Sequence, residues 1–132
     1  MLHHLILSLD DAKPVAAAAR AEAVKNAWAV VIAVVDDGGH LMYLERMDGC
    51  QKAFSRIAEK KGATAILFKR PTKAIEDVVL EGRSVMMALP GAVPLEGGVP
   101  LVKDGEFLGA IGVSGVQSFQ DRVIARAGAA AL

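Results

Sequence analysis

Residues 97–115 read GGVPLVKDGEFLGAIGVSG, and no other stretch restricts the fold so sharply. Glycines at 97, 98, 105, 109, 112 and 115 are interleaved with Val, Leu, Ile and Phe. The apolar alternation and the Asp104-Gly105 turn signal make this a β-hairpin rather than a linker. Glycine weakens a strand, because it brings no side chain and loses much backbone entropy on ordering. Several in one hairpin imply that another backbone, or a ligand, comes very close. The rest of the chain has to supply that close neighbour.

Upstream, Ser8 and Asp11 form an S-x-x-D start signal, and the alanine-rich segment to Asn26 reads as a helix. Pro14 disrupts a helix interior but suits a first turn, which draws the expected regular start toward Asp11. Trp28 to Val35 is an almost unbroken apolar run, the mark of a buried central strand. Asp36-Asp37-Gly38-Gly39 is a turn, and His40 to Arg46 reads as the returning strand. Lys52 to Phe68 has helical spacing, with Phe54, Ile57, Ala58, Ala65 and Ile66 on a buried stripe. A weaker helix is expected over Lys73 to Ala88, followed by a loop rich in Pro and Gly. Strands at Val99–Lys103 and Glu106–Val113 make the glycine hairpin. A last helix is expected from about Gln120, with Ser118 and Asp121 as its S-x-x-D start. The order helix, hairpin, helices, hairpin, helix predicts an antiparallel sheet covered by helices, an α+β domain.

The chain has 132 residues, which fits a single domain over 1–132. Its hydrophobic share of 53% is high for so short a chain, whose core buries a limited part of its surface. An interface with another copy is the expected outlet, and the alanine-rich faces of the first and last helices, around Ala125, Ala129 and Leu132, are its candidates. The outer strand of either hairpin is a second candidate. Fifteen basic and 15 acidic residues balance, so nothing pulls the chain toward nucleic acid or an anionic membrane. No apolar run reaches the roughly 20 residues that a bilayer needs. The N-terminus lacks a basic start and cleavage site, and the single Cys50 has no disulfide partner within the chain. A cytoplasmic location is expected.

Three motifs carry a family resemblance: VVDDGGHLMYLERMDG at 34–49, Lys61-x-x-Thr64-Ala65, and the glycine hairpin leading to Gln120-Asp121. In this order they resemble the GlcG/HbpS-like family of small haem-associated proteins and the C-terminal domain of PduO-type proteins. The resemblance implies a profilin-like α+β fold with a central antiparallel sheet, and oligomers built from dimers. It also implies haem or a related tetrapyrrole as ligand. Two positions depart from the family pattern. Gly62 replaces an alanine after the motif lysine, and Cys50 stands where a small alanine is usual.

The residues that could carry chemistry are few. Arg46, Asp48 and Lys61 lie near the glycine hairpin in the family pattern. An arginine fork suits a carboxylate, and a lysine supplies a point charge. Gly97, Gly98, Gly112 and Gly115, with Ser114 among them, would let backbone N–H groups approach an anion. Together these residues could hold a small carboxylate or a haem propionate. The competing reading is an Arg46–Asp48 pair that pins the turn, with Lys61 in solvent. His40 is the histidine inside a motif, and imidazole is a usual axial ligand for haem iron. His3 and His4 lack a third ligand. Cys50 reads as an inert thiol, and the methionines as core filling. Ser114 lacks the spacing of a nucleophile elbow.

Three functions are open from the sequence. The first is an oligomeric module that binds haem or a related tetrapyrrole, with His40 on the iron. The second is an enzyme, or an accessory to one, acting on a small organic acid, with Asp36, Asp48 and Glu96 as candidate general bases. The third is a scaffold subunit without chemistry. No catalytic residue is named.

Overall fold

The computed structural model describes residues 1–132. Four helices and four strands alternate with short turns: α1 (Leu9–Lys25), β1 (Val31–Asp36), β2 (Leu41–Arg46), α2 (Phe54–Leu67), α3 (Thr72–Leu80), β3 (Gly98–Lys103), β4 (Glu106–Ser114) and α4 (Ser118–Ala129). A 3₁₀ turn at Ser84–Ala88 follows α3. The strands form one antiparallel sheet in the order β2-β1-β4-β3. The expected α+β architecture is therefore present, with β2 and β3 as its free edges.

β1 is central because it is apolar on both faces. Val30, Ile32 and Val34 pack with Val15, Ala19, Ile124 and Ala125 of α1 and α4. Val31 and Ala33 pack with Ala58 of α2, and Val35 with Ala65 and Ile66 further along the same helix. The sheet is thus sandwiched, with α1 and α4 on one face and α2 on the other. Ala12, Ala16, Ala19 and Ala23 of α1 are buried inside the chain, while Ala17, Ala21 and Val24 of the same helix stay exposed. Ala125 is fully buried, and Ala129 and Leu132 close over the same core.

The hairpin glycines explain how α2 docks. Gly98 and Gly112 are paired across β3 and β4. A Cβ at Gly112 would run into the Ala58 carbonyl oxygen and come within 2.6 Å of the Gly62 nitrogen. A Cβ at Gly98 would run into the Lys61 carbonyl. Gly62 returns the favour, since its own Cβ position lies 3.3 Å from the Gly112 nitrogen. The close neighbour demanded by the sequence is the backbone of α2, which lies directly on the strand backbones. Thr72 fastens the start of α3 to the same place, where its hydroxyl accepts the Gly98 amide at 2.9 Å.

Three local expectations change. The α1 capping box forms as read, with Ser8 and Asp11 bonded reciprocally, but the helix runs from Leu9 through Pro14 at the loss of one amide donor. The segment expected as one helix over 73–88 breaks at Gly82, whose φ of +109° no helix continues. The last helix starts at Ser118 with Gln117 and Gln120 as its capping pair. Ser118 is not its cap, because Asp121 is occupied elsewhere.

The backbone contact gives a direct test. Gly112→Ala should lower the free energy of unfolding by about 3 kcal/mol, since neither the Ala58 carbonyl nor the sheet can yield. Chemical denaturation should show an earlier midpoint with an unchanged slope. Wild-type stability in this variant would mean that α2 does not lie on the strand.

Candidate functional site

The motif residues fall at two ends of the sheet. Val31 is paired with Arg46 on one side and Ser114 on the other. Gly98 is the cross-strand neighbour of Gly112, so Arg46, Ser114, Gly112 and Gly98 gather at one end. His40 stands at the other, beside Asp36 at the far end of the six-residue β1. Six extended residues span roughly 17 Å. His40 and Arg46 of one chain therefore stand at opposite ends of the sheet.

At the Arg46 end, the dominant feature is Lys61. Its side chain is 2% exposed, and its ammonium donates to Asp121 at 3.1 Å and to the Val113 carbonyl at 3.0 Å. Gly97 makes the room: a Cβ there would come 2.9 Å from the Lys61 nitrogen and 2.5 Å from the Val113 oxygen. The other Asp121 oxygen accepts the Val116 amide at 3.1 Å. Burial pushes the Asp121 carboxyl above the ordinary carboxylate range, against the opposing pull of Lys61 and the amides. Lys61 thus lies neither in solvent nor free for a ligand. Its partner Asp121 comes from 60 residues away, and although both stand in family motifs no local spacing joins them.

Arg46 and Asp48 are both exposed and make no ion pair with each other or with any other residue. Cys50 lies between Arg46 and the end of β4, its sulfur 4.0 Å from the Ser114 carbonyl. Burial pushes the thiol up and the Asp121 charge adds to this, while Arg46 pulls the other way. The thiol stays protonated and is a poor nucleophile. Ser114 is buried, and Gly115 packs against Cys50 and the Ala29 carbonyl. Glu96, on the loop before β3, is buried against Arg122 at 3.2 Å and Lys73 at 3.7 Å. Sequence reasoning missed both cations, which come from α3 and α4.

At the opposite end, the Asp36 carboxylate accepts the Gly38 and His40 amides, each at 2.9 Å. Partial burial raises this carboxyl, but the two amides outweigh it and hold it below its usual range. The same oxygen lies 3.3 Å from Nδ1 of His40, whose ring is 82% exposed. An imidazole that keeps its Nδ1 proton toward a carboxylate presents the Nε2 lone pair outward. Asp37 holds His4 at 3.1 Å on the other side of the turn. A cleft beside it is lined by His4, Asp37, Ile66, Lys69 and Phe107, with the Lys69 ammonium 5.6 Å from the Phe107 ring centre.

The buried pair can be tested by charge. Lys61→Met should cost about 3 kcal/mol at neutral pH, because it strands a buried carboxylate. Burial already raises Asp121 above its unfolded value, so its stabilising share is full below the unfolded value and is lost as the pH climbs through the folded one. Without Lys61 that rise is larger. The deficit of the variant should therefore shrink between about pH 7 and about pH 4, read from urea midpoints. A deficit that is constant across this range would mean that the pair is not what matters.

The family model described as haem degrading protein HbpS-like matches residues 7–130. Protein GlcG of Escherichia coli K12 is 48% identical over 110 residues, which cover 83% of this chain and 82% of GlcG. The crystal structure of HbpS superposes with a TM-score of 0.92 at 32% identity, covering all of this chain and 94% of that one. The crystal structure of the PduOC:haem complex gives 0.87 at 31% identity, covering 97% and 96%. A family match over nearly the whole chain, joined by relatives of this identity and coverage, leaves one assignment: the chain belongs to the HbpS-like family.

Proposed function

We propose that this protein is an oligomeric module that binds haem or a related tetrapyrrole, in the cytoplasm. The observation that carries the reading is His40. Its ring projects from a turn that Asp36 braces through two amides, and the same carboxylate faces Nδ1. That arrangement fits an axial ligand, since an outer carboxylate fixes both tautomer and ring direction. His40 would hold the iron. Exposed Leu41 and Leu67 lie near the turn to meet the porphyrin, and Lys69 is the cation on this side of the sheet for a propionate. Bound haem would supply the redox-active iron; the chain supplies the ligand, its orientation and the charge. Support comes also from the family description and from the haem complex of the PduOC relative.

A second reading has its own observation. Arg46 carries an unpaired guanidinium beside Asp48, Cys50, Ser114 and Gly115, where a small carboxylate could be held. This end of the sheet would serve an enzyme, or an accessory to one, acting on a small organic acid. Its Lys61, Gly97, Gly98 and Gly112 would then shape the floor and not touch the ligand.

Titration of the purified protein with hemin should give a saturable Soret shift at low micromolar hemin. His40→Ala should alter that spectrum. No saturable shift would end the haem reading, and an unchanged spectrum in the variant would remove His40 from the iron. Assembly is supported by exposed Leu80, Val85 and Met87 on and after α3, and by the two free sheet edges. Light scattering at micromolar concentration should report at least twice the chain mass of 13.8 kDa. A monomer across that range would refute it.

A further inference from the structure

The cleft between α3 and α4 lies apart from both ends already described. Pro71, Lys73, Ala74 and Asp77 of the α3 side, Val99 of β3, and Arg122 and Arg126 of α4 enclose about 390 Å³. Three cations and one carboxylate line it. Lys73 is held by Asp77 at 2.6 Å, while Arg126 makes no ion pair. Arg122 lies against buried Glu96 at 3.2 Å, but the two facing atoms, Nε of Arg122 and Oε2 of Glu96, form no hydrogen bond. Both atoms are wholly buried. The two atoms face each other as an ion pair, which fixes the Arg122 guanidinium in the wall of the cleft.

We propose that this cleft binds a small organic acid. Its carboxylate would be held by Arg126 and Arg122, and its apolar part would lie against Pro71, Ala74 and Val99. The inference is independent of haem and of Arg46. A further feature strengthens it. The first turn of α3 opens on the cleft, and no side chain caps it, so its amide ends add to the positive field. Nearby, burial pushes the Glu76 carboxyl above the ordinary carboxylate range, against the pull of a backbone amide at Glu96 and with the Glu96 carboxyl adding to the rise. Glu96 is a positioning residue: it sets the Arg122 guanidinium and does not touch the acid. The apolar walls select an organic acid over a bare inorganic anion, which would gain nothing from Pro71 or Val99.

The test is calorimetric titration of the protein with benzoate, with succinate and with inorganic phosphate at equal ionic strength. Benzoate or succinate should bind saturably and more tightly than phosphate. Arg126→Glu should weaken that binding about tenfold or more, the share of one charge-assisted contact. Lys103→Glu, on the β3–β4 turn outside the cleft, should leave it unchanged. Arg126 is exposed and unpaired, and Arg126→Ala replaces the charge reversal if that variant fails to fold. No saturation by either acid, unchanged binding in both Arg126 variants, or phosphate binding as tight as the acids would each overturn the proposal. The hemin titration of Arg126→Glu should match wild type, so that loss of haem binding and loss of this site are read separately.

Discussion

The contact between the α2 backbone and the β4 backbone is the constraint from which the remaining geometry follows. Two elements approach this closely only where no Cβ intervenes, and Gly112, Gly98 and Gly62 clear the seam. With α2 lowered onto the sheet, Lys61 starts from a point low enough to pass the end of β4. Its ammonium then reaches Asp121 at the start of α4, a helix of the opposite layer. A bulkier seam would raise α2 and leave the lysine short. The glycine hairpin and the buried ion pair are one device: the first sets the depth, and the second fixes the rotation of α2 and the entry of α4.

That device carries an energetic tension. Two charges removed from water lose more hydration than their attraction alone returns, unless other bonds complete the set. Here the Val113 carbonyl and the Val116 amide complete it. What such a pair gives is discrimination more than stability. A copy of the fold with α4 displaced by one turn would leave the buried Lys61 ammonium with the Val113 carbonyl and no counter-charge, and that penalty disfavours it. The chain thereby assigns its motif lysine to architecture, and leaves exposed groups such as Arg46, His40 and Arg126 for contact with anything outside.

The hairpins and the central strand were legible because their signals are local. Asp104-Gly105 takes positive φ at both positions, as a two-residue turn requires, and the unbroken run at 30–35 is buried on both faces. The misread positions are those whose neighbours are distant in sequence. Asp121 satisfies a capping pattern with Ser118 on paper, yet a buried ammonium outbids an exposed amide for it. Lys61 looks like a helix surface charge until the opposite layer is in place. The core-facing alanines of α1 and α4 meet each other, since two thin helices pack closest, while Ala17 and Ala21 of α1 stay outward. The break at Gly82 did have a local signal, a glycine after the last apolar position of α3. The α3–α4 cleft had none, as its cations lie some 50 residues apart and face one another only when folded.

The sheet order also dictates when this chain can become itself. β1 and β2 are neighbours in sequence and can pair as soon as both exist. The second partner of β1 is β4, and the face of β1 that carries Ile32 and Val34 is covered by α1 and α4 together. During synthesis, the most apolar segment of the chain therefore has one edge and half of one face waiting for residues about 80 positions further on. Until α4 has left the ribosome, the first half is an adhesive hairpin and not a domain. The C-terminal helix acts as the closing piece of the assembly, and its arrival converts a surface that would seek any strand into an interior that accepts none.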